Sequence, residues 1–224
     1  DEQFQITAEK LLAACDDQTK VIWICSPNNP TGNLINPEAI VGVLQKFDGI
    51  VVVDEAYGDF ANIQPFRSYL SKFPNLIVLN TMSKAWGCAG LRLGMAFASK
   101  AIIDLFNKVK YPYNINILTQ QYALESLRDP YQVDEWVKIL LQERAKVISA
   151  FLDLPICEKV YPTEANFFLA KMTDAQAIYD YLVDKGIIVR NRNKVQLCGN
   201  CLRITIGKKS ENIELLAALR QYGE

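Results

Sequence analysis

The sequence has no histidine among its 224 residues. That removes Ser-His-Asp and Cys-His hydrolysis, zinc sites of the H-E-x-x-H type and all histidine acid–base catalysis. Proton transfer in this chain falls to lysine, tyrosine, cysteine or a carboxylate. Charge of one sign is lacking too: 24 basic residues stand against 25 acidic ones. A nucleic-acid binder or a polybasic membrane module needs a positive surplus, so neither partner is expected. No apolar run approaches the roughly 20 residues of a membrane span, and no signal-peptide pattern opens the chain. The first residue is Asp1 rather than Met, and the sequence enters directly into mid-domain character, so a fragment is expected.

Half of the residues are hydrophobic, which is enough for a sizeable core. The six cysteines form no framework. Cys15, Cys25, Cys88 and Cys157 have small or apolar neighbours, as reduced buried thiols do, which favours a cytoplasmic setting. Cys198-Gly199-Asn200-Cys201 has redox or half-zinc spacing, but no second pair and no histidine completes a tetrahedral site. A Gly-Asn turn between two strands, with cysteines there by chance, is the preferred reading.

Short aliphatic runs alternate with amphipathic stretches. Val21–Cys25, Ile50–Val53 and Leu76–Leu79 read as buried strands, and Arg92–Ala98 as a fourth. Asn36 and Pro37 start a helix as N-cap and first-turn residue. This order implies an α/β fold with a mostly parallel sheet covered on both faces. Ser99 to about Ala150 reads as helix, interrupted at Tyr111-Pro112-Tyr113 and at Asp129-Pro130. Strands at Asn166–Met172, Ile187–Val189 and Cys201–Ile206 follow, with a helix capped by Asp174 and stopped by Gly186, and a last helix capped by Ser210. The expected division is a large domain over 1–130 and a small α+β domain over 131–224.

In a parallel sheet, ligands bind beyond the carboxyl ends of the strands. Three motifs fall there. Asn29 lies in the turn Asn28-Asn29-Pro30-Thr31-Gly32 after the first strand. Asp54 ends the second. Lys84 follows the third, in Thr81-Met82-Ser83-Lys84-Ala85-Trp86-Gly87-Cys88-Ala89-Gly90-Leu91-Arg92. A carboxylate at the end of four aliphatic residues is desolvated unless a cation meets it. A protonated pyridine nitrogen is one such cation; the same aspartate could instead cap the next helix. Tyr57 offers a phenol to a ring oxygen, or serves as a core aromatic, and Asn29 could aim its amide at the same oxygen. Thr81, Ser83 and Arg92 offer hydroxyls and a planar fork suited to phosphate. The intervening small residues allow close backbone approach. The run is neither G-x-G-x-x-G nor a P-loop. Lys84 itself suits covalent chemistry on a carbonyl. Arg203, inside an apolar strand, is costly without an anion, and Arg190 ends the preceding apolar run.

On these residues the chain resembles the fold-type I pyridoxal-phosphate aminotransferases. The matching stretches are Cys25 to Pro37, Asp54 to Tyr57, Ser83 to Arg92 and Cys201 to Gly207. The last of these, with Gly186 to Arg190, is similar more narrowly to the histidinol-phosphate aminotransferases. The resemblance implies pyridoxal 5'-phosphate as cofactor, with Lys84 as its covalent anchor and the base of the proton shift. It implies Asp54 on the pyridine nitrogen, Asn29 and Tyr57 on the ring oxygen, and Thr81, Ser83 and Arg92 around the phosphate. Arg203 and Arg190, with Asn29, would bind the substrate, a phosphorylated amino alcohol alternating with glutamate. Family members are homodimers. Against the family pattern this chain starts late, so the sheet is expected to be incomplete and the 224 residues alone are not expected to transaminate. A threonine-phosphate decarboxylase, an aromatic aminotransferase and a non-catalytic dimerisation module share the framework.

Overall fold

A computed structural model describes residues 2–222. The described residues form two compact units, one of residues 3–27 with 35–135 and one of residues 28–34 with 136–222.

The first unit contains α1 (Ala8–Ala13), β1 (Val21–Cys25), α2 (Pro37–Lys46), β2 (Ile50–Asp54), β3 (Leu76–Thr81), β4 (Gly94–Ala98), α3 (Lys100–Val109) and α4 (Ile117–Ser126). The strands lie in the order β1-β2-β3-β4. β1, β2 and β3 are parallel, and β4 runs antiparallel to β3. The parallel register stacks Ile22 beside Val51 and Leu76, and Ile24 beside Val53 and Val78. Side chains alternate faces along a strand, so these six share one face. They form a core with Ile40, Val43 and Leu44 of α2 and with Phe66 and Phe73. Asn36 caps α2 as its sequence indicates, its side chain accepting the Glu38 N–H at 2.9 Å. The opposite sheet face departs from the expected full cover. Val52 and Ile77 are buried there, but Val21 and Trp23 on β1 are exposed.

The long α5 (Pro130–Leu152) is followed by β5 (Cys157–Val160), β6 (Phe167–Met172), α6 (Ala175–Asp184), β7 (Arg190–Asn191), β8 (Cys201–Thr205) and α7 (Lys209–Tyr222). The second unit's sheet has the order β5-β6-β8-β7, antiparallel throughout. Phe168, Ala170, Met172, Leu202 and Ile204 fill its core against Val147 and Phe151 of α5, Ile178 and Leu182 of α6, and Leu215 and Leu219 of α7.

Two expected elements differ here. The apolar run Ile187–Val189 is not a strand. Gly186, at φ +77°, ends α6 in a Schellman-type turn, and the Ile187 N–H is bound to the Leu182 carbonyl at 2.8 Å. That donor is lost to a sheet, and pairing begins only at Arg190. Ser210 lies inside α7 rather than at its cap. The start is fixed two residues earlier, where Glu211 Oε2 reaches back to the Lys208 N–H at 2.7 Å, the glutamate half of a capping box. Asp174 does cap α6, accepting the Ala177 N–H at 3.0 Å.

Candidate active site

The carboxyl ends of β1, β2 and β3 lie along one edge of the parallel sheet. Asp54 closes β2 there, half-buried. Its Oδ1 accepts the Ala56 N–H at 2.9 Å, and no described residue bonds Oδ2. The backbone then turns, with the Gly58 N–H bound to the Glu55 carbonyl at 2.8 Å, and this buries Tyr57.

β3 ends at Thr81, whose hydroxyl fixes the following turn. Thr81 Oγ1 accepts the Ser83 N–H at 3.1 Å and donates to the Leu93 carbonyl at 3.2 Å, joining both arms of the β3–β4 connection. Met82 and Ala85 are buried on either side of Lys84 and press the turn onto the core, while Lys84 projects outward. Gly87, at φ +66°, closes the turn with its N–H on the Lys84 carbonyl at 3.0 Å. The Lys84 Nζ stands 5.1 Å from the centre of the Tyr57 ring, and Lys84 forms no ion pair among the described residues. Arg92 sits in the left-handed region at φ +52°, exposed, with Nη1 on the Ala89 carbonyl at 3.1 Å. Asp54, Tyr57 and Lys84 therefore share the carboxyl edge, with Thr81, Ser83 and Arg92 on the lysine-bearing connection.

Asn29 belongs to the second unit, because the turn carrying it packs there. The Glu164 N–H donates to the Gly32 carbonyl at 2.8 Å. Within the turn, Asn28 Nδ2 donates to Thr31 Oγ1 at 2.7 Å and Thr31 donates to Asn33 Oδ1 at 2.5 Å. Arg203 Nη1 donates to Asn29 Oδ1 at 2.7 Å. Arg190 on β7 is the direct cross-strand partner of Arg203 on β8, so both arginines point to the same sheet face. Like charges set opposite each other are destabilising, which makes this pair a place that an anion would relieve.

Two carboxylates were not singled out in the sequence. Glu55, only 3% exposed, accepts the Phe66 N–H on Oε1 at 2.9 Å. Burial pushes its carboxyl above the usual range, against the lowering effect of that bond. Asp59 is shifted the same way, by burial first, with Asn80 opposing. Both line a cavity of about 180 Å³ with Arg67 and Asn80. The acidic pair in Asp54-Glu55 was the only available signal, and sequence alone does not say which of two adjacent carboxylates faces inward.

Cys15, Cys25, Cys88 and Cys157, expected to be buried, are half-buried, while Cys198 and Cys201 are buried; all six are free thiols. The Cys201 N–H on the Cys198 carbonyl at 3.1 Å closes a turn before β8. No cluster of three metal-ligating side chains occurs among the described residues, and none of their helices is long and apolar enough to cross a membrane.

The model of the family "Aminotransferase class I and II" matches residues 1–219. A histidinol-phosphate aminotransferase of Bacteroides fragilis is 55% identical over 221 residues, covering 99% of this chain and 64% of the relative. That of Bacteroides thetaiotaomicron is 54% identical over 222 residues, with the same coverage of 99% and 64%. The chain thus spans about 64% of the length of these curated relatives. Among solved structures, the histidinol-phosphate aminotransferase of Clostridium acetobutylicum superposes with a TM-score of 0.93 at 25% identity, covering 100% of this chain and 69% of the other. The Sinorhizobium meliloti enzyme, in complex with pyridoxal-5'-phosphate, gives 0.86 at 27% identity, with coverage of 96% and 60%. By its sequence match and its fold, the chain belongs to the class I and II aminotransferases.

Proposed function

We propose that the protein is a pyridoxal-phosphate-dependent aminotransferase of histidine biosynthesis, exchanging the amino group between histidinol phosphate and glutamate through their oxo counterparts. The observation that carries the reading is the carboxyl-edge cluster, in which the Lys84 amine lies 5.1 Å from the Tyr57 ring beside the strand-end Asp54. The substrate follows from the relatives named histidinol-phosphate aminotransferase.

The donor set fits the cofactor. Asp54 keeps Oδ2 without a partner among the described residues, which suits a pyridinium N–H. Ser83 and Arg92 supply a hydroxyl and a guanidinium for a phosphate, and Thr81 holds the Ser83 backbone in place. When bound, pyridoxal phosphate supplies an electron sink for a carbanion at the substrate's amino-bearing carbon. The chain's residues do the rest. Asp54 holds a positive charge on the pyridine nitrogen, Tyr57 and Asn29 orient the ring oxygen, and Lys84 anchors the cofactor and moves the proton. With no histidine in the sequence, Lys84 would be the basic group that moves this proton. Arg203 and Arg190 take the substrate anion, a phosphate in one half-reaction and a carboxylate in the other, by forked hydrogen bonds. A cytoplasmic homodimer with small-molecule substrates completes the reading.

A donor screen on the whole protein loaded with pyridoxal phosphate tests it. Strong preference for histidinol phosphate is expected. Preference for aromatic amino acids, or carbon dioxide release from phosphothreonine, would overturn the assignment.

A further inference from the structure

We infer that Phe167 is a positioning residue that fixes the plane and reach of the Arg203 guanidinium, and so the affinity for the anionic group Arg203 binds. The inference rests on the proposed reading of Arg203 as an anion-binding arginine.

In the antiparallel register Leu169 lies opposite Arg203, and Phe167 opposite Thr205. Phe167 and Arg203 are therefore diagonal neighbours on one sheet face, close enough for an aromatic and a long side chain to touch. They do touch: the Arg203 guanidinium carbon lies 4.8 Å from the centre of the Phe167 ring. One edge of the same guanidinium is held by Asn29 at 2.7 Å. A planar cation with one face on a ring and one edge on an amide keeps little freedom to rotate. Its orientation is set before an anion arrives, so less rotamer entropy is lost on binding. The ring also removes water from that face, which strengthens the field at the other donors.

The ring is itself fixed. Phe167 is 1% exposed, and its carbonyl accepts the Thr163 hydroxyl at 2.5 Å. The same hydroxyl accepts the Ala165 N–H at 3.1 Å, and the Ala165 carbonyl takes Arg144 Nη1 at 2.8 Å. The Glu164 N–H holds the Gly32 carbonyl, three residues from Asn29. The segment bearing the ring and the turn bearing the amide are thus bound to each other, and Arg203 is held by both.

The test is calorimetric titration of inorganic phosphate into the whole protein with saturating pyridoxal phosphate, so that the cofactor-phosphate ligands are already filled. Phe167→Leu should weaken phosphate binding by roughly 2- to 30-fold. Phe167→Tyr, which keeps the ring, should stay within about twofold. The cofactor absorbance should not change in either. In an Arg203→Met background the loss from Phe167→Leu should vanish. If the leucine variant does not fold, Phe167→Met removes the ring with a more adaptable side chain. The inference falls if the ring-less variant binds phosphate like the wild type while Arg203→Met does not. It also falls if the loss persists in the Arg203→Met background, or if Phe167→Tyr loses as much as leucine. Unchanged phosphate binding by Arg203→Met alone would instead overturn the underlying reading of Arg203.

Discussion

Gly32→Ala should open the turn that carries Asn29. Gly32 sits at φ +84°, where an L side chain is strained by roughly 1–2 kcal/mol. An added Cβ would lie 2.4 Å from Thr163 Oγ1 and 2.9 Å from Thr163 Cβ. Rotating the threonine relieves only the first contact. It also breaks the 2.5 Å bond to the Phe167 carbonyl and the 3.1 Å bond from the Ala165 N–H, each contributing about 1 kcal/mol. The lower-cost response is for the turn to retreat, which releases the Glu164 N–H from the Gly32 carbonyl at 2.8 Å. The combined cost is about 2–4 kcal/mol. Hydrogen exchange at the Glu164 amide reads it directly. Where opening is local, protection should drop by roughly 30- to 1000-fold, with a matching loss in urea denaturation. Thr163→Ala should relieve part of the overlap, so the double variant should be less destabilised than the two single losses added together. Wild-type protection at Glu164 in Gly32→Ala, with stability within about 0.5 kcal/mol, would refute the reasoning.

Glu55→Gln should change how stability depends on pH. Burial raises the Glu55 carboxyl, so the folded chain keeps this proton to higher pH than the unfolded chain. Its contribution is complete below the ordinary carboxylate range near about 4.3 and is lost as pH rises through the folded value. Glutamine still accepts the Phe66 N–H but carries no proton to lose, so urea denaturation across that range should show a flatter fall than the wild type. Arg144→Met should cost about 1.5–3 kcal/mol, because the fully buried Ala165 carbonyl loses a charge-assisted bond. Glu164→Gln should cost under about 1 kcal/mol, since its 3.4 Å bridge to Arg144 is partly exposed; equal losses in denaturation would contradict this. Burial pushes the Cys201 thiol up to about 11, and Cys198 is raised the same way. A disulfide-exchange reagent at pH 8 should therefore modify these two last, and early labelling of Cys201 in the peptide map would contradict their burial.

The parallel sheet was legible because β1, β2 and β3 carry short continuous apolar runs, even though Val21 and Trp23 of β1 are exposed. The α2 and α6 caps were legible because a cap is local chemistry within three residues. What could not be read depends on partners far along the chain. Asn29 follows β1, yet its turn belongs with residues 136–222, held by Glu164 and Arg203. Nothing near Phe167 in the sequence tells that its ring lies against an arginine on another strand. The run Ile187–Val189 misled because three β-branched apolar residues read as a strand, while its first donor is taken by the end of α6. β5, Cys-Glu-Lys-Val, is half polar and carries almost no strand signal. At the candidate site, the residue types and their order along the chain were legible. The buried Glu55 and the half-buried Asp59 were not, because burial is a property of the fold.

The central claim is that Lys84 is the amine that carries the cofactor. The whole protein is incubated with pyridoxal phosphate, reduced with borohydride and digested, and the peptides are analysed by mass spectrometry. A pyridoxyl group on Lys84 is expected, with none at that peptide and no cofactor absorbance in Lys84→Ala. Label spread over other lysines, or the same absorbance retained in Lys84→Ala, would contradict the claim.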